Sequence, residues 1–193
     1  AHNGSLVPIP GRDVMIQSWY QGGISLFDWT DVAHPKEIAF FDRGPVDSTR
    51  MAGGGSWSVY WYNGVMVSSE ISRGLDIVEL VPSAFISQNE IDAAKSVKWD
   101  YLNVQGQRKI VWPPSFALAG AYVDQLERSH GLAADRISTI RASLKSAQQA
   151  SGSARSTALT QLASQIDADA SGSSDAAKVQ KLSEAVKALE TAQ

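Results

Sequence analysis

Through residues 14–79 apolar and polar side chains alternate in short runs broken by glycine, and beyond Pro113-Pro114 apolar residues recur at every third or fourth position. A period of two belongs to strands with one buried face, and a period near 3.6 to amphipathic helices. The chain therefore reads as α+β, with strands first and helices last.

The β part contains a repeat. Residues 14–28 (VMIQSWYQGGISLFD) align without gaps on residues 65–79 (VMVSSEISRGLDIVE) at an offset of 51. Each copy reads as strand, glycine-containing turn, strand. Ahead of the second copy, Ser56–Tyr62 meets Val65–Ser68 across Asn63-Gly64, a pair suited to a type I′ turn. Ahead of the first, residues 5–12 carry Pro8 and Pro10 and suit an edge strand. Lys36–Asp42 supplies a further strand after the Asp31–Pro35 turn. Units of three to four antiparallel strands with a period near 50 predict two β-propeller-blade-like units.

From Ser87 the pattern turns helical, with Ser87 and Glu90 spaced as a capping box. Residues 82–114 read as a linker or strap with this short helix, ending in an extended run from Gln107 to Trp112. The strap is expected to pack on the β units through Phe85, Trp99, Tyr101 and Trp112. Residues 115–193 predict a C-terminal helical bundle of four helices: Phe116–Ser129 stopped by Gly131, Ala134–Ala150, Ala154–Ala168, and Asp175–Ala192 capped by Ser173 or Ser174. The domains are thus 1–81, an incomplete propeller of two repeats; 82–114, the strap; and 115–193, the helical tail.

The run GGISLFDWTDVAHPKEIAFFD (residues 22–42) and its partner NGVMVSSEISRGLDIVEL (63–80) resemble bacterial LVIVD-repeat proteins. In those, a strand of the form G-apolar-x-apolar-apolar-D precedes a TD-x-x-x-P-x-x-apolar turn, matched here by Gly23 through Asp28, Thr30-Asp31, His34-Pro35 and Ile38. The resemblance covers about residues 1–81. It implies a β-propeller in an exported, periplasmic or cell-surface protein, and it brings no shared catalytic motif. The order of the tail helices resembles FIMAH-type helical modules. A closed propeller takes about four or more blades, and the sequence opens on Ala1 with two. The expectation is a fragment completed by upstream blades of the same protein or by other protein chains.

The formal net charge of −3 predicts no nucleic-acid partner, and no apolar run is long enough for a membrane span. Without cysteine there are no disulfides or thiolate metal sites. His2, His34 and His130 lack metal-ligand spacing; His34 reads as a turn residue and His130 as a partner of a helix end. Asp28 and Asp31 form a candidate calcium pair, although Glu79 repeats Asp28, which favours a turn role. Calcium is the one cofactor considered and none is expected. The aromatic set Trp19, Tyr20, Trp29, Trp57 and Trp61 is the candidate binding surface; alternation puts Trp57 and Trp61 on one face with Val59, and Tyr60 and Tyr62 on the other. Arg12, Arg43, Arg50 and Arg73 fall in loops near turns; Arg43 and Arg73 could present guanidinium groups at one rim, with salt bridges to Asp42, Asp47 or Asp76 the favoured expectation. No catalytic residue is assigned. The residues therefore predict a non-catalytic binding or assembly module. The alternatives are an enzyme subunit with a site on the propeller axis and a carbohydrate-binding module using exposed Trp and Tyr.

Overall fold

The computed structural model describes residues 1–106 and 108–192; Gln107, in the extended run, and Gln193, the last residue of the tail, lie outside the described residues. The chain divides into two units, residues 1–86 with 94–111 and residues 87–93 with 112–193. The described residues form two antiparallel sheets and a helical C-terminal region, and no closed propeller. None of the helices is long and apolar enough to cross a membrane.

In the β unit, β1 (Gly4–Val7), β2 (Val14–Ser18), β3 (Ile24–Asp28) and β4 (Lys36–Phe41) form a four-stranded meander, and β5 (Ser56–Tyr62), β6 (Val65–Glu70) and β7 (Gly74–Val78) a three-stranded one. β1 is an edge strand that stops before Pro8, in keeping with the donor proline lacks. Asn63 and Gly64 both take positive φ, 51° and 110°, as a type I′ turn requires.

The offset of 51 holds in three dimensions. Met15 opposes Phe27, Ile16 opposes Leu26, Gln17 opposes Ser25 and Ser18 opposes Ile24. In the second sheet the pairs are Met66 with Val78, Val67 with Ile77, Ser68 with Asp76 and Ser69 with Leu75. The register is the same, but the buried face is not. The first sheet buries Val14, Ile16 and Ser18, whereas the second buries Met66, Ser68 and Glu70, the positions of opposite parity. The two sheets pack on each other through β1, β2 and β5. Val7, Val14, Ile16, Ile24 and Leu26 from the first sheet and Val59, Trp61 and Met66 from the second are all buried. The two sheets are also stitched together: Tyr20, just past β2, and Ser56 of β5 exchange backbone hydrogen bonds of 3.0 and 2.8 Å, and the Trp61 amide of β5 donates to Ser5 Oγ of β1 at 2.9 Å. At the crossing Gly55 has φ +90°, and a Cβ there would lie 2.0 Å from the Tyr20 carbonyl, so only glycine fits.

One strand departs from simple alternation. The β5–β6 register slips between Ser56 and Ser58, so Trp57 sits in a bulge and turns outward, 45% exposed, while Val59 and Trp61 stay inside. Trp57 does not share a face with Trp61.

In the helical unit, α1 (Gln88–Ser96) begins with the expected capping box: Glu90 donates its amide to Ser87 Oγ at 3.2 Å, and the Ser87 amide donates to Glu90 Oε2 at 2.7 Å. Glu90 is fully buried and also accepts from Gln125 Nε2 at 3.0 Å and Arg128 Nη2 at 2.6 Å. The chain division falls within this helix, after Ala93. Four helices follow: α2 (Phe116–Arg128), α3 (Ala134–Gln149), α4 (Gly152–Asp169) and α5 (Ala176–Thr191). Each packs on the next and α5 returns to α2. The expected stripes, among them Leu126, Ile140, Leu162 and Val186, form one buried cluster. Trp112 packs against this helical cluster, so it is an anchor of the bundle and not of the strap.

Two helix ends differ from the sequence reading. α2 ends with His130 in the left-handed region, φ 54°, and the Gly131 amide donates to the Leu126 carbonyl at 2.8 Å, a Schellman pattern. Gly131 matters by closeness: a Cβ would stand 2.7 Å from Leu126 Cδ2. α5 is capped by Asp175, which accepts from the Lys178 amide at 3.1 Å, whereas Ser173 Oγ is engaged by the Asp175 amide and donates to the Gly131 carbonyl.

Candidate functional site

The aromatic candidates of the β unit separate into three groups. Trp19 follows β2 and Trp29 follows β3, so alternation places both on the face of the first sheet opposite the core. Phe27 lies between them, with ring centroids 6.2 Å from Trp19 and 6.1 Å from Trp29. The two exposed indoles flank the half-buried Phe27 beside Gln17 and Ser25, and Ser25 Oγ donates to Glu37 Oε1 at 2.6 Å. The second group joins His2 to Trp57 (4.2 Å) and Tyr20 (5.2 Å), with Tyr20 and Trp57 5.7 Å apart edge-to-face. Trp61 stands alone in the core with no exposed surface, out of reach of any ligand.

Asp28 and Asp31 are each occupied. Arg12 donates to Asp28 Oδ2 from Nη2 at 2.6 Å and from Nε at 3.1 Å, and Thr30 donates to Oδ1 from its amide and hydroxyl. Burial pushes the Asp28 carboxyl up, but the Thr30 hydroxyl and amide together with Arg12 outweigh it and hold it below its ordinary value of 3.8. The folded value being depressed, the pair stabilises the fold above about pH 4, and the contribution is lost as pH falls through the folded value. Asp28→Asn is expected to cost about 2 kcal/mol near neutrality, with the gap to wild type closing in melts taken progressively below pH 4. A gap that stays constant down to pH 2 would refute the assignment. Asp31 accepts from the Ala33 amide and sits 2.9 Å from His34 Nδ1, and these partners lower its pKa. Among the described residues no group of three or more His, Cys, Asp or Glu gathers to hold a metal ion.

Polar side chains from both repeats meet at one rim of the β unit. Asp42 and Arg43 from the first copy and Glu70, Arg73 and Asp76 from the second line a cavity of about 20 Å³, room for about one water molecule. Its charges are engaged. Arg43 Nη1 donates to Asp76 Oδ1 at 2.7 Å, Arg73 Nη2 donates to the Pro45 carbonyl, and Glu70 accepts from the amides of Gly55, Ser72 and Arg73. Arg50 pairs with Asp47 at 2.7 Å. These groups lock turns together, and each is spoken for by a neighbour.

Sequence reasoning passed over Phe27, Phe40, Leu75 and Ile77. The last two were within reach of the repeat, because the offset of 51 makes them the counterparts of Ile24 and Leu26. No protein-family model, curated protein or solved structure matches the chain.

Proposed function

We propose that the chain is a non-catalytic binding or assembly module of an exported or cell-surface β-repeat protein, whose two sheets act as propeller-type blades completed by further sheets. The observation that carries this is the pair of sheets with one register and opposite faces turned inward. Sheets related by a two-fold axis would bring equivalent faces together. Units set one after another around an axis instead bury the forward face of one on the rear face of the next, and each keeps a free face for another neighbour. The resemblance to bacterial LVIVD-repeat proteins supports the same reading, as do a rim cavity too small for a substrate and rim charges already paired.

Free blade faces and strand edges associate. Sedimentation of the isolated chain is expected to show self-association rising with concentration, and a monomer at high concentration that binds no hydrophobic dye would overturn the reading.

A second reading rests on the Trp19–Phe27–Trp29 row, whose two exposed indoles beside Gln17, Ser25 and Glu37 suit a sugar polymer. Tryptophan emission is expected to shift on titration with one member of a glycan panel, and Trp29→Ala to weaken that ligand about tenfold, the equivalent of about 1.4 kcal/mol. No response across the panel removes this reading.

A further inference from the structure

We infer that the β unit docks head to tail on a second copy of itself, the outward face of the second sheet receiving the outward face of the first. This rests on reading the two sheets as successive blades. Within one chain the inward face of the first sheet is a socket, made by Val14, Ile16, Ile24 and Leu26, all buried. The plug against it is the inward face of the second sheet, where Trp61, Met66 and Val78 stand in one row across β5, β6 and β7. Because opposite faces turn inward, socket and plug each occur once more in the chain, on the outward faces. At the offset of 51 the socket positions recur as Val65, Val67, Leu75 and Ile77. Ser18 also recurs as Ser69 and Asp28 as Glu79, so all six positions of that face keep their chemistry. The plug recurs as Leu6, Met15 and Phe27, which form the same row across β1, β2 and β3.

Both outward faces stand open. Leu75 and Ile77 are 61% and 62% exposed, while their counterparts Ile24 and Leu26 are 3% and 2% exposed. Leu6 is 58% exposed, whereas Trp61, which holds the same place opposite a methionine, has no exposed surface. Leu6 and Met15 open onto a groove of about 570 Å³ shared with Trp99 and Ile110, so the strap does not close the row off. The solvent face of an antiparallel sheet ordinarily turns polar. A face that instead repeats the core of its twin is built to be covered. The interface already present in the chain names the cover, since it sets socket on plug and never socket on socket. The free socket therefore takes the free plug of a second copy. Such a contact is heterologous, and it either closes a ring or runs on as a chain. Two copies make the smallest ring, with about the four sheets that a closed propeller takes.

Sedimentation of two variants of the whole chain, alone and mixed, tests the arrangement. Ile77→Glu spoils the socket and Leu6→Glu the plug, and Leu75→Glu serves as an independent socket variant. All three side chains face solvent in a single copy, so each variant is expected to keep the wild-type ellipticity. Alone, each is expected to self-associate about a hundredfold more weakly than wild type, because every contact then buries a carboxylate. Mixed in equal amounts, the intact plug of a socket variant meets the intact socket of Leu6→Glu, and a heterodimer is expected to form with near wild-type affinity. Pairing of socket with socket would leave Leu6→Glu fully associated and gain nothing from mixing, and either result overturns the proposal. If wild type and all variants associate alike, the head-to-tail contact falls and the assembly reading stands. A wild-type chain that stays monomeric removes the assembly reading and the contact with it.

Discussion

Trp61→Ala is expected to lower the stability of the β unit by about 4 kcal/mol, the largest effect of any single truncation there. Trp61 is wholly enclosed, and its backbone amide also ties β5 to Ser5 of the first sheet. Deleting the indole leaves a cavity lined by both sheets, and the strands cannot close over it without breaking the Ser5 and Tyr20 stitches. Trp61→Phe keeps a large aromatic ring in the same enclosure and loses only part of the volume, and among the described residues the indole Nε1 it removes donates to no acceptor, so its cost is expected to be under about 2 kcal/mol. Urea denaturation followed by tryptophan emission checks the order. Equal losses for the two variants would mean that enclosure of the indole is not what holds the sheets together.

Glu90→Ala is expected to cost the helical unit about 3 kcal/mol. The carboxylate has no exposed surface and serves two ends at once, accepting from the Ser87 amide at the start of α1 and from Arg128 and Gln125 on α2. Its removal uncaps α1 and strands donors in an apolar setting. The cost stays at the lower end of the range for a broken buried pair because the Arg128 side chain is itself partly exposed. Glu90→Gln retains shape and one acceptor, and is expected to lose about half as much. Helical ellipticity during urea denaturation tests both; a Glu90→Ala midpoint equal to wild type would deny the carboxylate its bridging role.

What the sequence disclosed was local. The Asn63-Gly64 turn, the Ser87–Glu90 box and the bundle stripes are written in neighbouring residues, because turn geometry, capping and helical period act over a few positions. What it hid depends on distant partners. Trp57 faces outward because a bulge shifts β5 by one residue, at the point where Ser56 bridges to Tyr20 and Gly55 is held by Glu70. Alternation gives two faces and cannot tell which is buried, so the reversal of faces between the copies was invisible until the sheets met. The same holds for the candidate surface. Trp19 and Trp29 emerged as exposed, whereas Trp61, chemically identical, lies at the centre of the core. His130 could not be foreseen as the left-handed residue of α2, since the adjacent Gly131 is the usual choice and instead stands close against the Leu126 side chain.

The reversed faces carry a lesson for anyone redesigning the duplicated segment. Positions related by the offset are homologous in alignment yet antipodal in environment: Val14 lies in the interior and Val65 does not, and Asp28 answers to Arg12 while Glu79 answers to Lys95. Averaging the two segments into a consensus, a routine way to stabilise tandem arrays, would here send greasy side chains toward water in one sheet and hydrophilic ones into the interior of its twin. Each segment has to be engineered on its own terms.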